Sequence, residues 1–130
     1  MRKPIFISIL VLVSVLLAGC GSAATPAATT AAKPVNIKME TNPNPAMNGD
    51  MEVIFTLTDA SDNPIEGATV DVSAEHTGMS GMDMSGLATD QGGGKYAINA
   101  NFSMSGDWKM TVYVRKDGLD YKEEIEFPIQ

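Results

Sequence analysis

A two-residue alternation of apolar and polar side chains runs through most of this chain, and it restricts the fold more than any other feature. In Met51-Glu-Val-Ile-Phe-Thr-Leu-Thr58, the apolar Met51, Val53, Phe55 and Leu57 fall on one side of an extended chain, with Glu52, Thr56 and Thr58 on the other. In Ala68 to Glu75 the inner set is Ala68, Val70, Val72 and Ala74, and one more step of the same parity puts His76 on the inner face at the rim. The pattern returns in Tyr96, Ile98, Ala100, Phe102 and Met104, and again in Trp108, Met110, Val112 and Val114. A weaker strand, Val35 to Glu40, opens the set, a short one lies near Gly86 to Thr89, and Leu119 to Phe127 closes it. The breaks are rich in turn formers: Asp59 to Pro64, Gln91 to Gly94, Ser105-Gly106 and Asp117-Gly118. No stretch has a helical period. About seven antiparallel strands in residues 35 to 130 predict an all-β, immunoglobulin-like β-sandwich, without the inter-sheet disulfide of antibody domains.

The residues ahead of the domain read differently. Arg2 and Lys3 precede an apolar run from Ile5 to Leu17, too short for the roughly 20 residues that span a bilayer but built like a secretory signal peptide. Leu17-Ala18-Gly19-Cys20 resembles the bacterial lipobox. By that resemblance residues 1–19 are a lipoprotein signal peptide, and Cys20, the only cysteine, becomes the lipidated N-terminus. Residues 20–34 hold no apolar side chain larger than alanine after Cys20 and cannot offset their conformational entropy, so they are expected to be a disordered tether reaching about 20 Å. The expected location is extracytoplasmic, lipid-anchored to the bacterial cell membrane. Replacing Cys20 with serine should move the protein from the membrane fraction to the soluble one; a variant that stays fully membrane-bound would refute the lipobox.

Loss of Arg2 and Lys3 with the leader takes the formal net charge from −7 to −9. Such a surface repels nucleic acid and anionic headgroups, so nucleic acid is excluded as a partner and the membrane is met through the lipid. Catalysis has no foothold either. One histidine and one lipidated cysteine assemble neither a Cys-His pair nor a zinc hydrolase site, and no nucleophile-elbow sequence is present, so the chain is not expected to be an enzyme. Gly92-Gly93-Gly94 lacks the Lys-Ser/Thr and the helix of a phosphate loop and reads as a hairpin turn. Asp59, Asp62 and Asn63 lack the spacing of an EF-hand loop and read as an Asx-type turn.

The stretch from His76 to Met84 reads His-Thr-Gly-Met-Ser-Gly-Met-Asp-Met and places the only histidine beside three thioethers in a segment otherwise made of Gly, Ser, Thr and Asp. An imidazole with several thioethers is a soft, uncharged donor set, which selects Cu(I) over hard cations. His76, Met79, Met82 and Met84 are therefore the candidate Cu(I) ligands. Up-and-down strand parity brings Met104 to the same end as a reserve, together with the 41–50 loop carrying Met47. Zinc is served less well, because its usual donors are Cys, His and carboxylate, and only Glu75 and Asp83 stand beside His76. A plainer reading stays open. In it His76 is a polar loop residue, and the methionines cap the core edge or offer an adaptable apolar contact to another protein, as in an adhesion or assembly module. Met47, Met51, Met110 and Trp108 read primarily as structural.

Several short pieces occur in a recognisable order: Asn42-Pro43 and Gly49 before a strand, Asp59 to Pro64 followed by Glu66-Gly67-Ala68-Thr69-Val70, the Met-rich stretch, Gly94-Lys95-Tyr96, and Met104-Ser105-Gly106-Asp107-Trp108. In that order they resemble the YtkA-like domain, which is related to FixH-like domains. The resemblance implies a small extracytoplasmic β-sandwich linked to copper handling, with the Met/His loop as its site and a copper-accepting or copper-donating protein as its partner.

Overall fold

The computed structural model describes residues 33–130; the expected signal peptide 1–19, Cys20 and all of the expected tether except Lys33 and Pro34 lie outside the described residues. Seven strands follow one another: β1 (Val35–Asn42), β2 (Gly49–Asp59), β3 (Thr69–His76), β4 (Asp83–Gly92), β5 (Lys95–Phe102), β6 (Gly106–Lys116) and β7 (Leu119–Ile129). All neighbours are antiparallel, in the order β1-β2-β5-β4-β3-β6-β7. One layer is built on β1-β2-β5 and the other on β3-β6-β7, with β4 joining their edges, the strand order of a seven-stranded immunoglobulin sandwich. Strand β4 belongs to both layers. Its first half pairs with β3 (Glu75↔Asp83 to Val70↔Ala88), and its second half pairs with β5 from Thr89↔Ala97 to Gly92↔Lys95, with a register shift between Asp90 and Gly92.

The alternation in the sequence is the inside and outside of this sandwich. Met51, Val53, Phe55 and Leu57 are buried, as are Val70, Val72, Ala74, Trp108, Met110, Val112 and Val114. Their partners on the outer faces are polar because water solvates that side of each sheet. Glu123, Glu124 and Glu126 lie on β7, an edge strand, where charge discourages pairing with another chain.

The sequence underestimates one strand. Instead of four residues near Gly86 to Thr89, β4 spans ten, so Asp83 and Met84 are strand residues and the β3–β4 loop is 77–82. Composition hides it: the inward positions are Met84, Gly86 and Ala88, while the large apolar Leu87 points out and is 63% exposed. The ladder to β3 holds β4 in place, so tertiary pairing overrides a weak local pattern. Strand β5 in turn ends at Phe102, leaving Met104 in the 103–105 loop.

The end opposite His76 is fixed by turn chemistry. The Asp59 carboxylate accepts backbone N–H bonds from Ser61 (2.8 Å) and Asn63 (3.0 Å), the expected Asx turn, and these bonds hold its pKa below the usual carboxylate range. Tyr96 is fully buried. Its hydroxyl donates to the Ile65 carbonyl (2.8 Å) and accepts from the Ala68 N–H (3.0 Å), tying β5 to the β2–β3 connection, and burial pushes the phenol pKa up. Asp90 anchors the β4 irregularity by accepting from the Gly92 and Gly67 N–H groups, at 2.7 and 2.8 Å.

Candidate metal centre

The other end of the sandwich gathers the loops 43–48, 77–82 and 103–105 with the chain terminus, as strand parity requires. The first loop is closed onto the terminus by two backbone bonds, Asn48 N–H to the Gln130 carbonyl and Gln130 N–H to the Ala46 carbonyl, both 2.9 Å. The β3–β4 loop is tied to β6 through Thr77, whose N–H (3.0 Å) and hydroxyl (2.9 Å) both donate to the Asp107 carbonyl.

His76 is the last residue of β3 and is half-buried, on the inner face as its parity predicts. It pairs in register with Trp108, and the two rings meet edge to face with centroids 5.3 Å apart. Trp108 is buried and packs in the same way on Phe102 (5.0 Å), which packs on Phe127 (5.8 Å), so the imidazole rests on an aromatic floor. The indole N–H donates to the Met104 carbonyl (3.1 Å) and draws the β5–β6 loop in over the same floor.

Both imidazole nitrogens are engaged. Nδ1 accepts the Gly78 N–H at 3.1 Å, so the ring proton sits on Nε2, which faces the Ser105 carbonyl at 3.4 Å. Gly106 sits against the ring. A Cβ added there would lie 2.6 Å from Nε2, and its φ of +128° is a backbone state that favours glycine. A metal on Nδ1 would displace the Gly78 N–H; a metal on Nε2 would send the ring proton to Nδ1, against that same N–H. Either way the 77–82 loop must give at Gly78.

The thioethers divide into three groups. Met82 stands across from His76, whose N–H donates to the Met82 carbonyl at 3.2 Å, and Met84 pairs with Ala74; both are partly buried against the core. Parity thus puts His76, Met82 and Met84 on one face. Met79 lies at the loop tip, 48% exposed, with its N–H reaching back to the His76 carbonyl (3.4 Å). Met104 is half-buried in the facing loop, where its backbone meets Trp108. Met51 and Met110 are buried core residues as the sequence indicates, and Met47 is 50% exposed in the 43–48 loop.

Glu75 and Asp83 pair directly across β3 and β4 but belong to the opposite, outer face. There Glu75 forms an ion pair with Lys109, whose pKa it raises. These carboxylates add negative charge near the loop without sharing the face of His76. Among the described residues no three His, Cys, Asp or Glu side chains are gathered as metal ligands; the donor types that share the inner face at this end are the His76 imidazole and the Met82 and Met84 thioethers. That set fits a soft monovalent cation such as Cu(I).

The fold and this end of it define a small immunoglobulin-like β-sandwich with a soft-donor rim. The chain belongs to the YtkA-like family, whose model matches residues 29–113. Among solved structures it is similar to the soluble domain of PmoD from Methylocystis sp. ATCC 49242 (Rockwell), with a TM-score of 0.50 at 10% identity, covering 74% of this chain and 90% of that one. At that identity the likeness concerns the fold. MtrC from Shewanella baltica OS185 aligns with a TM-score of 0.45 at 15% identity, over 73% of this chain and 22% of its own. No curated protein sequence matches the chain.

The residues missed by sequence reasoning are those that seat His76. Gly78 and Gly106 carry no side-chain signal, and Ser105 acts through its carbonyl; only the strand count that brought Met104 to the same end as His76 gave a route to them.

Proposed function

We propose that this protein is an extracytoplasmic lipoprotein that binds Cu(I) as cargo, to sequester it or pass it to a copper-accepting or copper-donating protein. The observation that carries the reading is the placement of the only histidine and the partly buried Met82 opposite each other on the inner face at the rim, with Met79 at the loop tip, Met104 in the facing loop and Met84 further in on the same face. The copper link implied by the family resemblance supports it, as does the lipobox at Cys20 for the location. In this reading the protein is a binder and not an enzyme. His76 supplies the one nitrogen donor, Met79 and Met82 of the adjoining 77–82 loop the thioethers with Met104 in reserve, and Trp108 shields the inner side of the imidazole from water. The hydrogen bond to Gly78 keeps the apo imidazole oriented, and its exchange for the metal couples binding to loop movement.

Wild-type protein should take up one tight equivalent of Cu(I), with Zn(II), Ca(II) and Mg(II) competing poorly. His76→Leu and Met82→Leu should each weaken it by at least the roughly tenfold loss typical of even an outer-shell change. Competition against a chromogenic Cu(I) chelator measures this. Tight zinc binding that survives Met79→Leu, Met82→Leu and Met84→Leu together would sink the soft-site assignment. Exposure of Met47 and Met79 at the same end favours a second reading, an adhesion or assembly module that uses this rim as an apolar contact; it predicts no stoichiometric Cu(I) uptake.

A further inference from the structure

We propose that Met84 and Met110 form a second, inner seat for a soft monovalent cation, one rung below the rim. The inference rests on the rim being a soft-metal site and adds Met110 to the protein's donor residues.

Register puts the two residues in one row, their backbones two strand spacings, about 9.5 Å, apart. Ala74 of β3 has Met84 as its partner on β4 and Met110 as its partner on β6, so the three lie in one row on the inner face. The row above holds Met82, His76 and Trp108. A small residue between two long flexible ones leaves room for the thioethers to lean toward each other over the alanine methyl.

Open space lies on the same spot. Strand β4 pairs with β5 only from Thr89 onward, while β5 beyond Ala97 pairs only with β2, so the two strands part toward the rim. Between them is a cleft of about 300 Å³ whose lining includes Ala74, Met84, Ile98, Ala100 and Met110. A Cβ on Gly86, which also lines the cleft, would come within 2.9 Å of the Ile98 side chain, so a larger residue there would crowd it.

The chemistry of the lining selects the ligand. Among the described residues the lining has no carboxylate and no charged group, and its polar members are Ser85, Asn99 and Asn101. A divalent hard cation would lose its hydration shell and gain no anionic oxygen in return. A soft monovalent ion is more weakly hydrated, and two polarizable sulfurs suit it. The inner position of Met84 also resolves the surplus at the rim: His76, Met79 and Met82 suffice for a three-coordinate site, and Met84 belongs to the lower row.

Ag(I), a redox-stable soft probe, should be titrated into the full chain carrying ¹³C-labelled methionine methyls. The Met79 and Met82 methyls should shift with the first equivalent, and those of Met84 and Met110 together with a weaker second one, although Met110 is only 1% exposed. The double variant Met84→Leu, Met110→Leu, which keeps side-chain volume nearly constant, should retain the first equivalent and lose the second. A Met110 methyl that stays fixed while Met79 and Met82 respond overturns the inner seat and leaves the rim site standing. Loss of the first equivalent in the double variant also overturns it, because Met84 would then be a rim ligand. No methionine response at all removes both readings.

Discussion

Replacing Trp108 with alanine is expected to lower folding stability by about 3–5 kcal/mol, the range for truncating a fully buried large aromatic. Trp108 is 1% exposed and touches both aromatic neighbours edge-on, so its removal leaves a cavity between Phe102 and His76. It also orphans the Met104 carbonyl that the indole N–H now satisfies. A domain of this size has about 5–15 kcal/mol in total, so chemical denaturation should show the midpoint falling by a large fraction. Trp108→Phe keeps an aromatic edge under the imidazole but loses the N–H, and should cost distinctly less. The two variants also separate packing from positioning: without its floor His76 is freer, so Trp108→Ala should weaken Cu(I) binding more than Trp108→Phe although the indole is no ligand in either reading. A Trp108→Ala loss below about 1 kcal/mol would mean that the site relaxes to fill the space and that the aromatic floor is not what holds His76.

Where alternation was strong, the fold could be read directly from the chain. The inner set of β2, the inward parity of His76 and the pairing of loops at each end all follow from a period of two, because every step of an extended chain changes face. Strand β4 escaped because its inward residues are small and its largest apolar side chain, Leu87, faces out. The end of the sandwich that holds the candidate ligands was likewise legible, since counting strands up and down needs no side-chain detail. What periodicity cannot carry is the local seating of His76: the Nδ1 bond to Gly78 and the close approach of Gly106 involve backbone without side chains, and the edge-to-face contact with Trp108 joins residues 32 positions apart. Nor could it pair Met84 with Met110, because that pairing depends on which strands flank β3.

The β4–β5 turn offers a test with an internal control. Gly93 and Gly94 are adjacent, with φ of +65° and +76°, a region where an L side chain costs about 1–2 kcal/mol. Around Gly93 a Cβ would meet nothing within 4 Å, so Gly93→Ala should show only that conformational penalty. At Gly94 the same Cβ would lie 2.6 Å from the Leu57 carbonyl oxygen and 2.9 Å from the Pro64 side chain. That oxygen cannot retreat easily, since it accepts the Ile65 N–H at 3.0 Å, and the Leu57 N–H itself donates to the Gly94 carbonyl at 2.8 Å. Gly94→Ala should therefore lose about 3–4 kcal/mol, near the upper end for single substitutions. Urea titrations of the two variants measure the difference, and equal losses would show that the backbone conformation alone, not the close approach of β2, requires glycine at 94. Because this turn lies at the opposite end of the sandwich from His76, the folded fraction of both variants should keep wild-type Cu(I) affinity. A lowered affinity in folded Gly94→Ala would mean that the far turn and the rim are coupled through β4.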